Sequence, residues 1–238
     1  MSAVLAHIAV GTFALALYWS ALLRRKGSPA HKRAGRLFLA GLGAVALSVG
    51  PLILTRAATF DPGDLLKFVY LDLCLVTAGW LLFRAIHLRR APERFRSRAF
   101  LLLGLLLLAF GFGVLAAGLA KGEPLTAFFS WIGLVLGTGM VVFARRTGPL
   151  PPNWWLSWHL NAAALLFDAV HGTLLFVLWR WLVAPDAAGT AQIVIHVATL
   201  LAAAALRLAL GRRFGAPLRF GPERRKFAAK VASATTRT

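Results

Sequence analysis

Seven polar side chains interrupt stretches of the chain that are otherwise apolar: His7, Asp72, Asn161, Asp168, His171, Gln192 and His196. Imidazoles and carboxyls in such surroundings suit three chemistries. Paired imidazoles on different helices can ligate a haem iron axially. Three histidines with an aspartate suit zinc, the aspartate serving as ligand or base, although no HxxxH or HExxH spacing occurs here. A chain of Asp and His can also carry protons. Hydrogen bonds that merely hold helices together are the plainer role, and for any single histidine that role is the stronger reading. His31, His87 and His159 form a second group. Each lies beside Arg, Lys or Trp, where interfacial packing outweighs a second ligand site.

Composition says what must position these groups. Hydrophobic residues make up 59% of the 238 positions, and mean hydropathy is +0.72. A soluble domain runs roughly 45–50% apolar, so the chain is expected in lipid. Seven apolar segments, near 3–23, 35–55, 64–84, 98–120, 125–144, 157–182 and 190–210, are each long enough to span. Helices satisfy their own backbone there. The predicted fold class is all-α: a polytopic bundle of seven transmembrane helices over residues 1–211, followed by a basic tail over 212–238. "MSAVLAHIAVGTFALALYWSALL" has no Lys or Arg before its apolar stretch, and "RRK" follows it. A cleavable signal has the reverse order, so this segment reads as a retained first span.

The net charge of +19 would suit a nucleic-acid binder if it formed one basic domain. Instead it alternates with the spans. All 27 Lys and Arg except Arg56, Lys67, Lys121 and Arg180 fall on one side. The positive-inside rule puts that side in the cytoplasm and the N-terminus outside, and no nucleic-acid partner is expected. Trp154, Trp155 and Trp158 before the sixth span, and Trp179 and Trp181 at its end, read as interfacial belts. Cys74 reads as a buried small hydrophobe. Gly104, Gly111 and Gly118 recur every seven residues, and Gly133 and Gly137 form a GxxxG. Such small residues let helices approach closely, within one bundle rather than between copies.

Depth and helical phase then sort the polar groups. His7, Asp72, His171 and His196 fall roughly 5 to 16 Å below the outer edge at 1.5 Å per residue. Asn161, Asp168, His171 and Gly172 share a stripe at about 100° per residue, as do Gln192, His196 and Thr199, and His7, Gly11, Ala14 and Tyr18. Those stripes, on the first, sixth and seventh spans, are expected to converge. His159 stands roughly 18 Å from His171 along its helix and belongs to the other layer.

The segment "RRKGSPAHKRAGRLFLAGL", residues 24 to 42, resembles a bacterial family of polytopic membrane proteins described only as a domain of unknown function. Lys26, Gly27, His31, Lys32, Gly35 and Arg36 fit its K-G-x-x-x-H-[KR]-x-x-G-R pattern, with His7 on the helix before. "WHLNAAALLFDAVHGTLLFVL" is similar to its late helix, which begins with a histidine matching His159. After the third span the family carries a His/Arg stretch ending in Trp-Met, which "HLRRAPERFRSRAF" lacks. The resemblance implies an all-helical fold in the bacterial inner membrane and supplies no activity.

The leading expectation is a haem-b-binding or redox-associated membrane subunit, with His7, His171 and His196 as ligands. Asp72, Asp168, Asn161 and Gln192 would tune the site or relay protons. A proton-coupled transporter or a zinc-dependent membrane hydrolase using the same groups is the alternative, and a non-catalytic subunit of a larger complex or homo-oligomer is the third class.

Overall fold

The computed structural model describes residues 3–56, 61–186 and 189–218. Among these there are nine helices and no strand: α1 (Ala3–Leu23), α2 (Pro29–Arg56), α3 (Pro62–His87), α4 (Pro92–Phe95), α5 (Arg98–Lys121), α6 (Pro124–Phe129), α7 (Trp131–Ala144), α8 (Trp154–Leu182) and α9 (Gly189–Phe214). They make seven spans long and apolar enough to cross a membrane, α6 and α7 together forming the fifth. Large apolar side chains such as Leu47, Leu102, Phe112, Val135 and Leu201 face outward. Water would penalise that surface, whereas a bilayer suits it. The chain is a polytopic α-helical membrane protein.

Local chemistry sets the helix ends. Ser28 accepts from the His31 backbone N–H at 3.1 Å just before Pro29, which begins α2 with φ already suited to a helix. Asp61 accepts from the N–H groups of Gly63 and Asp64 at 2.7 and 3.0 Å and caps α3. Gly122 ends α5 in the left-handed conformation, φ 65°, which costs a residue without Cβ little.

Two ends of the bundle differ in charge. Where α1, α3, α6 and α9 begin, Asp61 pairs with Lys121, and Asp64 pairs with Lys67 at 2.7 Å. Lys67 also reaches Thr126 at 3.3 Å, whose hydroxyl donates to Glu123 at 2.9 Å. The opposite end, where α2, α5 and α8 begin, holds most of the arginines. There the described residues include one carboxylate, Glu93, bonded to Arg96 at 2.5 Å.

Packing explains where the expected segments shift. α3 is central and touches α2, α5 and α8, while α1 lies mainly on α2. The two glycine patterns face each other across α5 and α7. A Cβ at Gly137 would lie 2.7 Å from the Gly104 carbonyl oxygen, and one at Gly111 would lie 3.1 Å from the Leu134 nitrogen. The fifth span breaks at Ser130. Buried Tyr70 spans that break: its hydroxyl accepts from Gly133 N–H at 2.6 Å and lies 3.0 Å from the Ser130 carbonyl. Trp154 and Trp158, expected at an interface, are buried instead. The short α4 brings Phe95 in among Phe100, Phe143 and these two rings, so apolar contact replaces the headgroup environment. Trp179 and Trp181 do face outward. The seventh span, α9, runs past residue 211 to Phe214 and Gly215 turns the chain back, while residues 219–238 of the expected tail lie outside the described residues.

Candidate functional site: a polar seam between α8 and α9

The antiparallel pair α8 and α9 carries polar contacts along most of its length. Near the amino end of α9, His196 is 2% exposed and Asp168 of α8 is 3% exposed. His196 Nδ1 lies 3.6 Å from Asp168 Oδ1, too long for a hydrogen bond and short enough for an ion pair. Neither ring nitrogen of His196 has a hydrogen-bond partner. One turn on, Thr199 donates its hydroxyl to Asp168 Oδ1 at 2.5 Å. The same hydroxyl lies 3.1 Å from the carbonyls of Ile195 and His196. Phe129 of α6 closes over the His196 ring edge-on, with centroids 4.9 Å apart.

About 10 Å further along α8, at 1.5 Å per residue, Asn161 accepts from Arg207 Nε at 2.6 Å. Arg207 Nη2 reaches the Pro217 carbonyl at 3.2 Å, and Ser157 donates to that same oxygen at 2.5 Å. Asn153 donates to the Gly215 carbonyl at 3.3 Å. The chain after α9 thus folds back against the start of α8.

Asn161, Asp168 and Gly172 do share a face, and it is the face toward α9. His171, one residue before Gly172, turns toward α1 instead. Its Nδ1 lies 2.8 Å from the Phe167 carbonyl, so Nδ1 must carry the proton and donate. Its Nε2 then accepts from Trp19 Nε1–H at 2.8 Å. Both nitrogens of this neutral imidazole are occupied. His7 lies in another place again: its Nδ1 is 2.7 Å from Ser48 Oγ on α2. Ser48 spends its own hydrogen on the Val45 carbonyl at 2.6 Å, so His7 is the donor. Trp19, the partner of His171, stands about 18 Å further along α1 than His7. The expected stripes of α8 and α9 therefore do meet, at Asp168, Gly172, His196 and Thr199, whereas His7 and His171 lie away from that contact. Asp72 and Gln192 are half-buried, and Asp72 Oδ1 has no partner.

The other histidines also serve backbone carbonyls. His31 Nδ1 donates to Ala21 at 2.8 Å, His159 Nδ1 to Leu82 at 3.1 Å, and His87 Nδ1 to Phe83 at 3.0 Å. The first two fasten one helix to another. Buried Cys74 remains a small apolar residue of α3.

These surroundings bear on the expected cofactors. Axial haem ligation needs two imidazole lone pairs facing one ring-sized space. His171 has none to give, His7 faces α2, and His196 is walled by Gly172 and Phe129. The described residues do not fit haem at this trio. No group of three His, Cys, Asp or Glu among them is placed to hold a metal ion.

Thr199 and Arg207 complete the seam. Arg207 was legible only as one more basic residue near a helix end, yet it sits seven residues inside α9. Its depth within "LLAAAALRLALGRRF" is the signal that marks it. A seven-span membrane protein with a polar seam between its last two spans is the class that fold and site define. No family model, curated protein or solved structure matches the chain.

Proposed function

We propose that this protein handles protons within the membrane, as a proton-coupled transporter, with Asp168 and His196 as the proton-binding pair. The observation that carries the reading is the burial of an aspartate and a histidine side by side, with both imidazole nitrogens unbonded. An ionisable group at membrane depth is costly, and such groups mark ion pathways. Here the histidine supplies a lone pair for an incoming proton, and the carboxylate 3.6 Å away stabilises the imidazolium that results. Thr199 holds Asp168 Oδ1 in place, so the accepting geometry precedes the proton. Phe129 covers the imidazole edge-on, and Thr126, three residues earlier on α6, joins the network of Lys67 and Glu123. The proposed orientation puts the basic end in the cytoplasm. The proposed location is the bacterial inner membrane, supported by that charge bias and by the resemblance of residues 24 to 42.

Purified protein in liposomes that enclose a pH-sensitive dye tests this. A potassium diffusion potential should drive proton entry in the wild type, and Asp168→Asn and His196→Ala should each abolish it. Wild-type flux in both variants, or flux no greater than in empty liposomes, would exclude the proposal.

A further inference from the structure

Among the described residues, Arg207 is a buried cation without a counter-charge. It is 8% exposed, and its Nη1 has no hydrogen-bond partner. Its two acceptors, Asn161 Oδ1 and the Pro217 carbonyl, are both neutral. No described carboxylate forms an ion pair with it. Removing a charged group from water is expensive unless an opposite charge compensates it.

Its position narrows the anion that could do so. Arg207 lies about 10 Å before the end of α9, a helix whose 26 residues exceed a ~30 Å hydrocarbon core. With the excess shared between the two ends, the Arg207 Cα lies about 6 Å inside the hydrocarbon edge, within reach of the headgroups for a side chain of this length. Asn161 is exposed beside the guanidinium on the bundle surface. Its amide nitrogen is a second donor at the same spot. Gly211 leaves the space that Nη1 fills.

We propose that Arg207, with Asn161, binds a phosphate group at the carboxyl end of the α8–α9 seam. The guanidinium presents its fork to two oxygens, a stronger pairing than the 3.2 Å contact with Pro217 that it replaces. Binding therefore frees the Pro217 carbonyl from Arg207, leaving Ser157 to hold the returning chain. The phosphate comes either from an anionic lipid headgroup or from a soluble phosphate, and the test separates the two.

Full-length protein in phosphatidylcholine nanodiscs is compared with protein in nanodiscs containing phosphatidylglycerol, and separately with inorganic phosphate added to the first. Thermal unfolding and lipid retention in native mass spectrometry are read. Wild-type protein should gain stability from one probe, and Arg207→Lys should weaken that binding by about tenfold or more, since it keeps the charge and loses the bidentate fork. Arg213→Gln removes an exposed cation at the same end and should bind as the wild type does. An effect of phosphatidylglycerol alone assigns the site to lipid; an effect of inorganic phosphate alone assigns it to a soluble anion. Failure of the wild type to respond to either probe overturns the proposal, and needs no variant to fold. Equal losses in Arg207→Lys and Arg213→Gln overturn it too, because general charge attraction would then suffice.

Discussion

Gly172 lies directly against the imidazole of His196, closer than any side chain would permit. A Cβ at residue 172 would fall inside the ring's contact distance, at Nδ1 and Cε1. The glycine therefore sets how near α8 comes to α9, and with it the 3.6 Å separation of His196 and Asp168. Gly172→Ala should destabilise the protein by about 1–3 kcal/mol, the usual cost of overpacking a closed site. Gly11→Ala, where a Cβ meets nothing within 4 Å, is the matched control. Thermal unfolding in detergent should separate them, and equal melting temperatures would count against the close contact.

Tyr70 holds the broken fifth span. Tyr70→Phe leaves the Gly133 N–H without its acceptor and removes the donor to Ser130 or Phe129, all in a buried site. A buried polar group left unsatisfied costs about 1–3 kcal/mol. The expected result is a lower unfolding temperature with faster amide exchange at Gly133. Unchanged exchange there would sink the assignment.

The Asp61–Lys121 charge pair has a pH signature. Asp61 is held at about 2, below its ordinary 3.8, chiefly by the hydrogen bond from Lys121 and then by those from the Asp64 and Gly63 backbones. A carboxyl depressed on folding stabilises the fold above its unfolded value, and the contribution fades as pH falls from 3.8 through about 2. Lys121→Gln should move the Asp61 titration upward, read by carboxyl-carbon NMR in micelles. An identical midpoint in both proteins would show that Lys121 is not the cause.

His171 should be the Nδ1–H tautomer, with Nε2 bonded to Trp19. Nitrogen NMR of the imidazole reports this directly, and Trp19→Phe should shift Nε2 while leaving Nδ1 in place. The same occupancy withholds His171 from iron. Protein purified from haem-replete cells is expected to lack a Soret band, and a band lost in His171→Ala would reverse that conclusion.

The spans were legible because length and apolar content suffice for them in lipid. That Gly104 and Gly111 mark a packing face was legible for a related reason, since small residues at heptad spacing mark a contact whichever helix supplies the partner; that α7 supplies it comes from the structure. Phase also identified Asn161, Asp168 and Gly172 as one face, although it placed His171 there as well, which turns to Trp19 instead. Its facing toward His196 and Thr199 of the last span was expected, but the partners of His7, His171 and Arg207 were not legible. Helical phase gives a direction around one axis, while meeting requires the positions and tilts of two. His7 found Ser48 and His171 found Trp19, both partners in apolar runs that attracted no notice. The buried tryptophans escaped for a similar reason, since a tryptophan at a helix end belongs to the interface only if nothing apolar covers it. Phe95, on a helix of four residues, provides that cover.

The glycine contacts between α5 and α7 divide the molecule by mobility. Sliding these helices past each other would drive Gly104, Gly111 and Gly137 out of the only spaces that accept their backbones, so the pair behaves as a fixed post. Tyr70 bolts α3 to it through the fifth span. α1 has no such anchor to the post: it lies on α2 and touches α8 around Tyr18 and Trp19. Tyr18 and Trp19 are therefore the two rings through which a displacement of α1 would reach α8.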